Sequence, residues 1–179
     1  PLKNPAVPSS VSLAPAKSST LLAAEKQFAG WQKFGESGEL LAADASQWAA
    51  VRDERSGLMW AINTNPRVNF PNSVRTVTAL EAYIFESKAN SMHWCGYDGW
   101  RVPTVDELKS LLTAEKHNGM HIRRDVFPDI VSDSYGVWSS SSFVTGGGRV
   151  WFVNFVGGYA NGYSRDGRFY VRLVRSSTR

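Results

Sequence analysis

Two histidines four residues apart, His117 and His121, have a spacing that could do chemistry, because an i, i+4 pair on a helix lets two imidazoles share a metal ion. The stretch "HNGMH" holds Gly119, follows the end of helical periodicity and carries no HExxH glutamate, so the pair reads as exposed loop histidines. Asp125, Asp129 and Asp133 straddle Pro128 and lack the Asp-x-Asp-x-Asp-Gly order of a calcium loop. The serine run from Ser139 to Ser142 has no Gly-x-Ser-x-Gly elbow and no nearby base. Gly146 to Gly148 lead into a strand rather than a helix N-terminus, which removes the phosphate-cradle reading. Cys95 is the only cysteine and reads as a buried, inert thiol; it excludes an intrachain disulfide and a multi-cysteine metal site. With no paired acid and base and no activated nucleophile, the chain reads as non-enzymatic, with no metal and no cofactor.

A contact surface is the better use of the remaining residues. In "VWFVNFVGGYANGYSRDGRFYVRLVR", Val150 to Arg175, the ends alternate like strands and the middle is rich in Tyr, Ser, Gly, Asn and Arg. These are paratope types: Tyr gives wide amphipathic contact at low entropy cost, while Ser and Asn adapt their hydrogen bonds. Phe152, Val156, Tyr159, Ala160, Asn161, Tyr163, Ser164, Asp166, Arg168 and Phe169 are the candidate ligand-binding residues, expected on one exposed, contiguous face. The plain alternative is a glycine-rich hairpin loop with incidental tyrosines.

The elements that must hold this segment form an α+β pattern. Residues 1–20, rich in Pro, Ala and Ser, read as a linker or N-terminal extension, and 21–179 as one domain. Short strands fit "QWAAVRD", "GLMWAI", "VWSSSS", "VWFVNF" and "YVRLVR", the last with Val171 and Leu173 inward. Within "VWFVNF", Trp151, Val153 and Phe155 share one face and Phe152 and Asn154 the other. Val74, Val77, Leu80, Ile84 and Phe85 recur at helical spacing from Ser73 to Ala89. A second helix follows Thr104, whose Thr-x-x-Glu107 spacing is a capping box, with Val105, Leu108, Leu111 and Leu112 as its buried stripe.

The bulk composition narrows the partners. A net charge of +4 and a pI near 9.3 are mildly basic, but the Lys and Arg residues are scattered, so nucleic acid is not an expected partner. No apolar run approaches the roughly 18 residues of a membrane span, so no direct membrane insertion is expected. A start at Pro1 fits a mature or trimmed chain and leaves a signal, a lipid anchor or another domain upstream open.

In order, "RDERSGLMWA", "GWRVPTVDELKSLL", "FPD", "VWSSSS", "VWFVNF" and "YVRLVR" resemble the bacterial family named for the C-terminal domain of the Legionella collagen-like protein. The resemblance runs from about Gln47 to Arg175 and is most specific at Trp-Arg-Val-Pro-Thr-x-x-Glu-Leu. It implies a C-type lectin-like fold, with two helices packed on a twisted antiparallel sheet. Trp60, Trp100, Trp138 and Trp151 would be core anchors, and Arg101 and Glu107 polar ties or caps. The formylglycine-generating enzymes of that fold use paired cysteines, and its calcium lectins use Glu-Pro-Asn or Gln-Pro-Asp; neither pattern occurs here. The C-terminal segment also resembles the variable region of a diversity-generating retroelement protein, in which randomised adenines turn Asn codons into any type except Lys, Gln, Glu, Met or Trp. None of those five occurs from Phe152 through Phe169. This second resemblance implies Gly157, Gly162 and Gly167 as further variable positions, and Trp151, Val153, Phe155, Gly158, Arg165 and the stretch from Tyr170 to Arg175 as scaffold. The resemblance implies a variable receptor or adhesin at the bacterial cell surface or exported, a cytoplasmic location staying open, with a protein or glycan ligand. A fixed-specificity adhesin for host glycans, acidic ones included, through Arg149, Arg165, Arg168 and Arg172 is the alternative.

Overall fold

The computed structural model describes residues 17–62, 76–130, 136–144 and 147–176. In chain order its elements are α1 (Ser19–Gln27), β1 (Trp31–Phe34), β2 (Ala50–Asp53), β3 (Leu58–Ala61), α2 (Ala82–Ser91), α3 (Val105–Lys109), β4 (Gly136–Ser142), β5 (Arg149–Asn154), β6 (Tyr159–Ser164) and β7 (Val174–Ser176). The strands form two antiparallel sheets, β1-β2-β3-β7 and β4-β5-β6. The α+β class is as expected, with three helices and two sheets where two helices on one sheet were predicted.

Strands β2 to β5 fall where the alternation places them. The "WRVPT" block then ties the sheets together. Trp100 is buried; Arg101 and Val174 exchange backbone bonds at 2.9 Å, and Pro103 O accepts from Ser140 N–H at 2.7 Å. Arg101 grips Glu107 through two bonds of 2.8 and 2.6 Å, and Glu107 also closes the capping box with Thr104. Arg101 thereby holds the Glu107 carboxyl below the usual carboxylate range.

Helix α2 departs from the predicted stripe. Leu80 and Ile84 are exposed, Phe85 is half-buried, and the buried residues are Ala82 and Ala89; Val74 lies outside the described residues. The cause is a second Thr-x-x-Glu box. Thr78 N–H donates to Glu81 Oε2 (2.7 Å) and Glu81 N–H to Thr78 Oγ (3.3 Å), which starts the helix late. Val77, upstream of it, is left extended and bridges Phe169. Helix α1, capped by Ser18, buries none of its residues, so no apolar period announces it. In "YVRLVR" only the end is strand, and Val171, Arg172, Leu173 and Val174 are all buried rather than alternating.

Trp60, Trp100 and Trp138 are core anchors at 1% exposure or less, whereas Trp151 is half-buried, edge-on to Phe143 at 4.5 Å. Cys95 is buried, and burial followed by the nearby Glu36 and Glu39 pushes its thiol up to about 12. Lys33 is buried too, its ammonium 3.9 and 4.0 Å from the Phe28 and Trp48 ring centres and bonded to Ala43 O and Ala45 O. Burial lowers its pKa against the pull of Asp44 and Asp125.

Candidate ligand-binding face

Between the two predicted strand ends the segment forms a strand of its own, β6, and the turn before it sets which side chains face out. Asn154 Oδ1 accepts from Val156 N–H (2.9 Å) and Gly157 N–H (2.8 Å), while Asn154 O accepts from Gly158 N–H (2.9 Å). Gly158 has a φ of +71°, and a Cβ there would lie 2.7 Å from the His121 ring, so this corner needs glycine. The resulting register puts Phe152 opposite Asn161 and Val153 opposite Ala160. By strand alternation Phe152, Tyr159, Asn161 and Tyr163 share one face, and Trp151, Val153, Ala160, Gly162 and Ser164 the other.

The first face is built in two tiers. Phe152 stacks on Phe169 at 4.2 Å and 11°, and Trp138 stands edge-on to Phe169 at 4.7 Å. Tyr159 and Tyr163 stand edge-on to Phe152 at 6.2 and 6.1 Å, and Tyr163 also meets Phe169 at 5.3 Å. Phe152 is only 6% exposed, while Tyr159 and Tyr163 are 48% and 51% exposed. Three glycines make room for these rings. A Cβ would lie 2.5 Å from the Tyr159 ring at Gly157, 2.3 Å from the Tyr163 ring at Gly167 and 2.6 Å from the Phe169 ring at Gly136.

The rim is polar. Arg168 donates to Thr76 O (2.9 Å) and lies 3.8 Å from Glu81, Arg165 donates to Gly148 O (3.1 Å), and Asp166 N–H donates to Ser164 Oγ (3.4 Å).

Tyr159, Asn161, Tyr163, Ser164, Asp166 and Arg168 are therefore exposed, as expected of contact residues. Four candidates need correction. Phe152 is buried and Phe169 half-buried, so they support the tyrosines from beneath. Val156 and Ala160 are half-buried against the core, because the register turns Ala160 inward. Gly162 is not free to vary, since a Cβ would lie 2.3 Å from the Phe143 ring. Ser164 falls on the opposite face from the tyrosines, so the exposed set is not one face. Arg172, one of four arginines assigned to an acidic glycan, is fully buried, bonded to Asp129 and to Ala61 O at 2.9 Å each. Gly136 and Trp138 are brought to this face by β4; Trp138 is the core anchor expected of it, and no local signal ties either residue to the segment.

Among the described residues, no three His, Cys, Asp or Glu side chains gather where a metal ion could be held. His117 sits in a tight turn closed against Met120, with Asn118 and Gly119 at positive φ, and His121 Nδ1 lies 2.9 Å from Thr113 O. Asp125 pairs with Arg123 and Asp129 with Arg172; Asp133 lies outside the described residues.

The family model described as the Lcl C-terminal domain matches residues 49–175. No curated protein matches the chain.

Proposed function

Because the chain belongs to the Lcl C-terminal domain family, we propose that it is a non-enzymatic ligand-binding protein, a variable receptor or adhesin on a C-type lectin-like scaffold. It meets a protein or glycan ligand through Tyr159, Asn161, Tyr163, Asp166 and Arg168, with Ser164 at the edge. One observation carries this reading. Four aromatic residues of this face divide into a lower tier, buried Phe152 stacked on half-buried Phe169, and an exposed tier, Tyr159 with Tyr163. Letters in the exposed tier can change without opening the core, which is what a diversified surface requires. The placement we favour is the bacterial surface or outside the cell.

The coding DNA and its neighbourhood provide the test. We expect a near-duplicate of the Phe152 to Phe169 segment that differs only at adenines, beside a reverse transcriptase gene. A locus without such a repeat sinks diversification. A library randomised at Tyr159, Asn161, Tyr163, Ser164, Asp166 and Arg168 is expected to stay folded and to yield binders to differing proteins or glycans. A library that mostly unfolds removes the binding face itself.

A further inference from the structure

Three of the four sheet edges end against another segment of the chain. Beside β1, Leu41 N–H donates to Lys33 O and Gly35 N–H to Glu39 O, both at 2.9 Å. Arg101 covers β7 through its paired bonds to Val174. Tyr170 O and Pro103 O cover β4, accepting from Trp138 N–H (3.0 Å) and Ser140 N–H (2.7 Å). The fourth edge is β6, which among the described residues pairs only with β5.

The hydrogen-bond ladder tells which of its backbone groups face outward. Arg149 O accepts from Phe143 N–H (3.0 Å), so Arg149, and by alternation Trp151 and Val153, aim their backbone groups toward β4. Val150, Phe152 and Asn154 then bond their register partners Tyr163, Asn161 and Tyr159. Ala160, Gly162 and Ser164 are left aiming away from the sheet. Gly167 N–H takes Ser164 O, and Asn161 Oδ1 takes Gly162 N–H, each at 2.8 Å. Ala160 N–H, Ala160 C=O and Gly162 C=O meet no partner among the described residues. The strand reads YANGYS in unbroken register with β5, without the charge, proline or bulge that guards natural edges.

We propose that a second copy of this chain adds to this edge, β6 against β6, antiparallel about a two-fold axis at Asn161. Ala160 then exchanges both backbone bonds with the partner's Gly162, once the Asn161 side chain releases the Gly162 N–H. Tyr159 comes to lie across from the partner's Tyr163, and Asn161 across from the partner's Asn161, so aromatic pairs flank the axis on both sides. Charge at this edge does not oppose a like copy. The strand itself is neutral, and Arg149 and Arg165 flank only its Ser164 end, so antiparallel pairing keeps the two sets of arginines at opposite ends. Main-chain bonds supply the affinity, as in other strand additions. The tyrosines of both copies stay on one face of a continuous sheet, doubling the surface open to a ligand.

Sedimentation velocity of the 179-residue chain over a dilution series tests the pairing. Asn161→Lys sets like charges opposite each other at the axis, and Ala160→Pro removes an outward N–H that β5 does not use. We expect a monomer–dimer equilibrium in the wild type, weakened at least roughly tenfold, or about 1.4 kcal/mol, by each variant. Mixing Asn161→Lys with Asn161→Asp is expected to restore dimers, with circular dichroism checking that each variant is folded. Should Ala160→Pro fail to fold, Asn161→Lys and the charge-swapped mixture decide the matter. A wild type that is monomeric at every concentration overturns the proposal and leaves the edge to an extended segment of another protein. A dimer that neither variant weakens also overturns it, since the copies then meet through another face.

Discussion

Arg172 and Arg168 are four residues apart in one C-terminal segment, yet they belong to two regions that use polar groups in opposite ways. Around Arg172 and the Trp100 to Glu107 corner, polar groups answer one another: Arg172 with Asp129, Arg101 with Glu107, the Arg101 backbone with Val174. Around Arg168 and β6, Tyr159, Asn161, Tyr163 and Asp166 turn toward solvent above a buried aromatic tier. The first region fixes its letters because each group completes another. The second leaves Tyr159, Asn161, Tyr163 and Asp166 freer, because the rings beneath and the glycines at 158 and 162 hold the scaffold.

Breaking the buried pair tests the first region most severely. Asp129→Ala leaves the Arg172 guanidinium buried against Phe127, 5.0 Å from its ring centre, without its carboxylate. We expect a loss of about 3–5 kcal/mol in urea unfolding. A loss under about 1 kcal/mol, the range of an exposed ion pair, would mean that water reaches the pair and that the contrast with Arg168 is overstated.

Phe152→Ala sharpens the line between the two tiers. Removing a buried ring costs about 3 kcal/mol or more, and here it also removes the ring that both tyrosines lean on. We expect a lower melting temperature together with a weakened near-ultraviolet tyrosine signal. A stable Phe152→Ala protein that only loses ligand binding would return Phe152 to the contact surface.

Glu107 offers a milder test with a pH signature. Arg101 depresses its folded pKa, so its contribution is present above the unfolded carboxylate value, about 4.3, and is lost as pH falls through the lower folded value. Wild-type stability should therefore decline on acidification more steeply than that of Glu107→Gln. At neutral pH the variant should be less stable by about 1.5–3 kcal/mol, the scale of a hydrogen bond to a charged group. Parallel pH profiles would remove Glu107 from the set of fixed ties.

Which of these features the sequence discloses depends on the range of the interaction that makes them. The Thr104 capping box is local and legible, as is the alternation of Trp151 and Val153 against Phe152. The same spacing stands at Thr78 and Glu81, but an apolar period running through it points to an earlier start, and Leu80 and Ile84 are exposed. Phe152 was misassigned because its burial depends on Trp138 and Gly136, brought from β4 by the sheet and invisible in the segment itself. Arg172 reads like the exposed Arg149, Arg165 and Arg168 because its partner, Asp129, lies 43 positions away. Strand β6 is hard to read because the Ala, Asn and Gly between its two tyrosines have low strand propensity, and pairing with β5 decides the matter.

The smallest effect belongs to the exposed tyrosines, and their difference is informative. Tyr159→Ala removes one edge-on contact, to Phe152, whereas Tyr163→Ala removes two, to Phe152 and Phe169. Aromatic pairs contribute about 0.5–1.5 kcal/mol beyond area burial, and half-exposed rings fall at the low end. Tyr159→Ala should therefore shift stability by about 0.5 kcal/mol and Tyr163→Ala by somewhat more, with unchanged denaturant slopes. Gly167→Ala calibrates the pair, because its Cβ would push chiefly on the Tyr163 ring, at 2.3 Å, with the Ser164 carbonyl oxygen next at 3.0 Å. If Tyr163→Ala already costs as much as Phe152→Ala, the tiers are one packed unit and the upper ring is not free to vary. If Gly167→Ala reproduces the cost of Tyr163→Ala, that cost comes from the seating of the ring rather than from lost surface, and Tyr159 is left as the position most open to exchange.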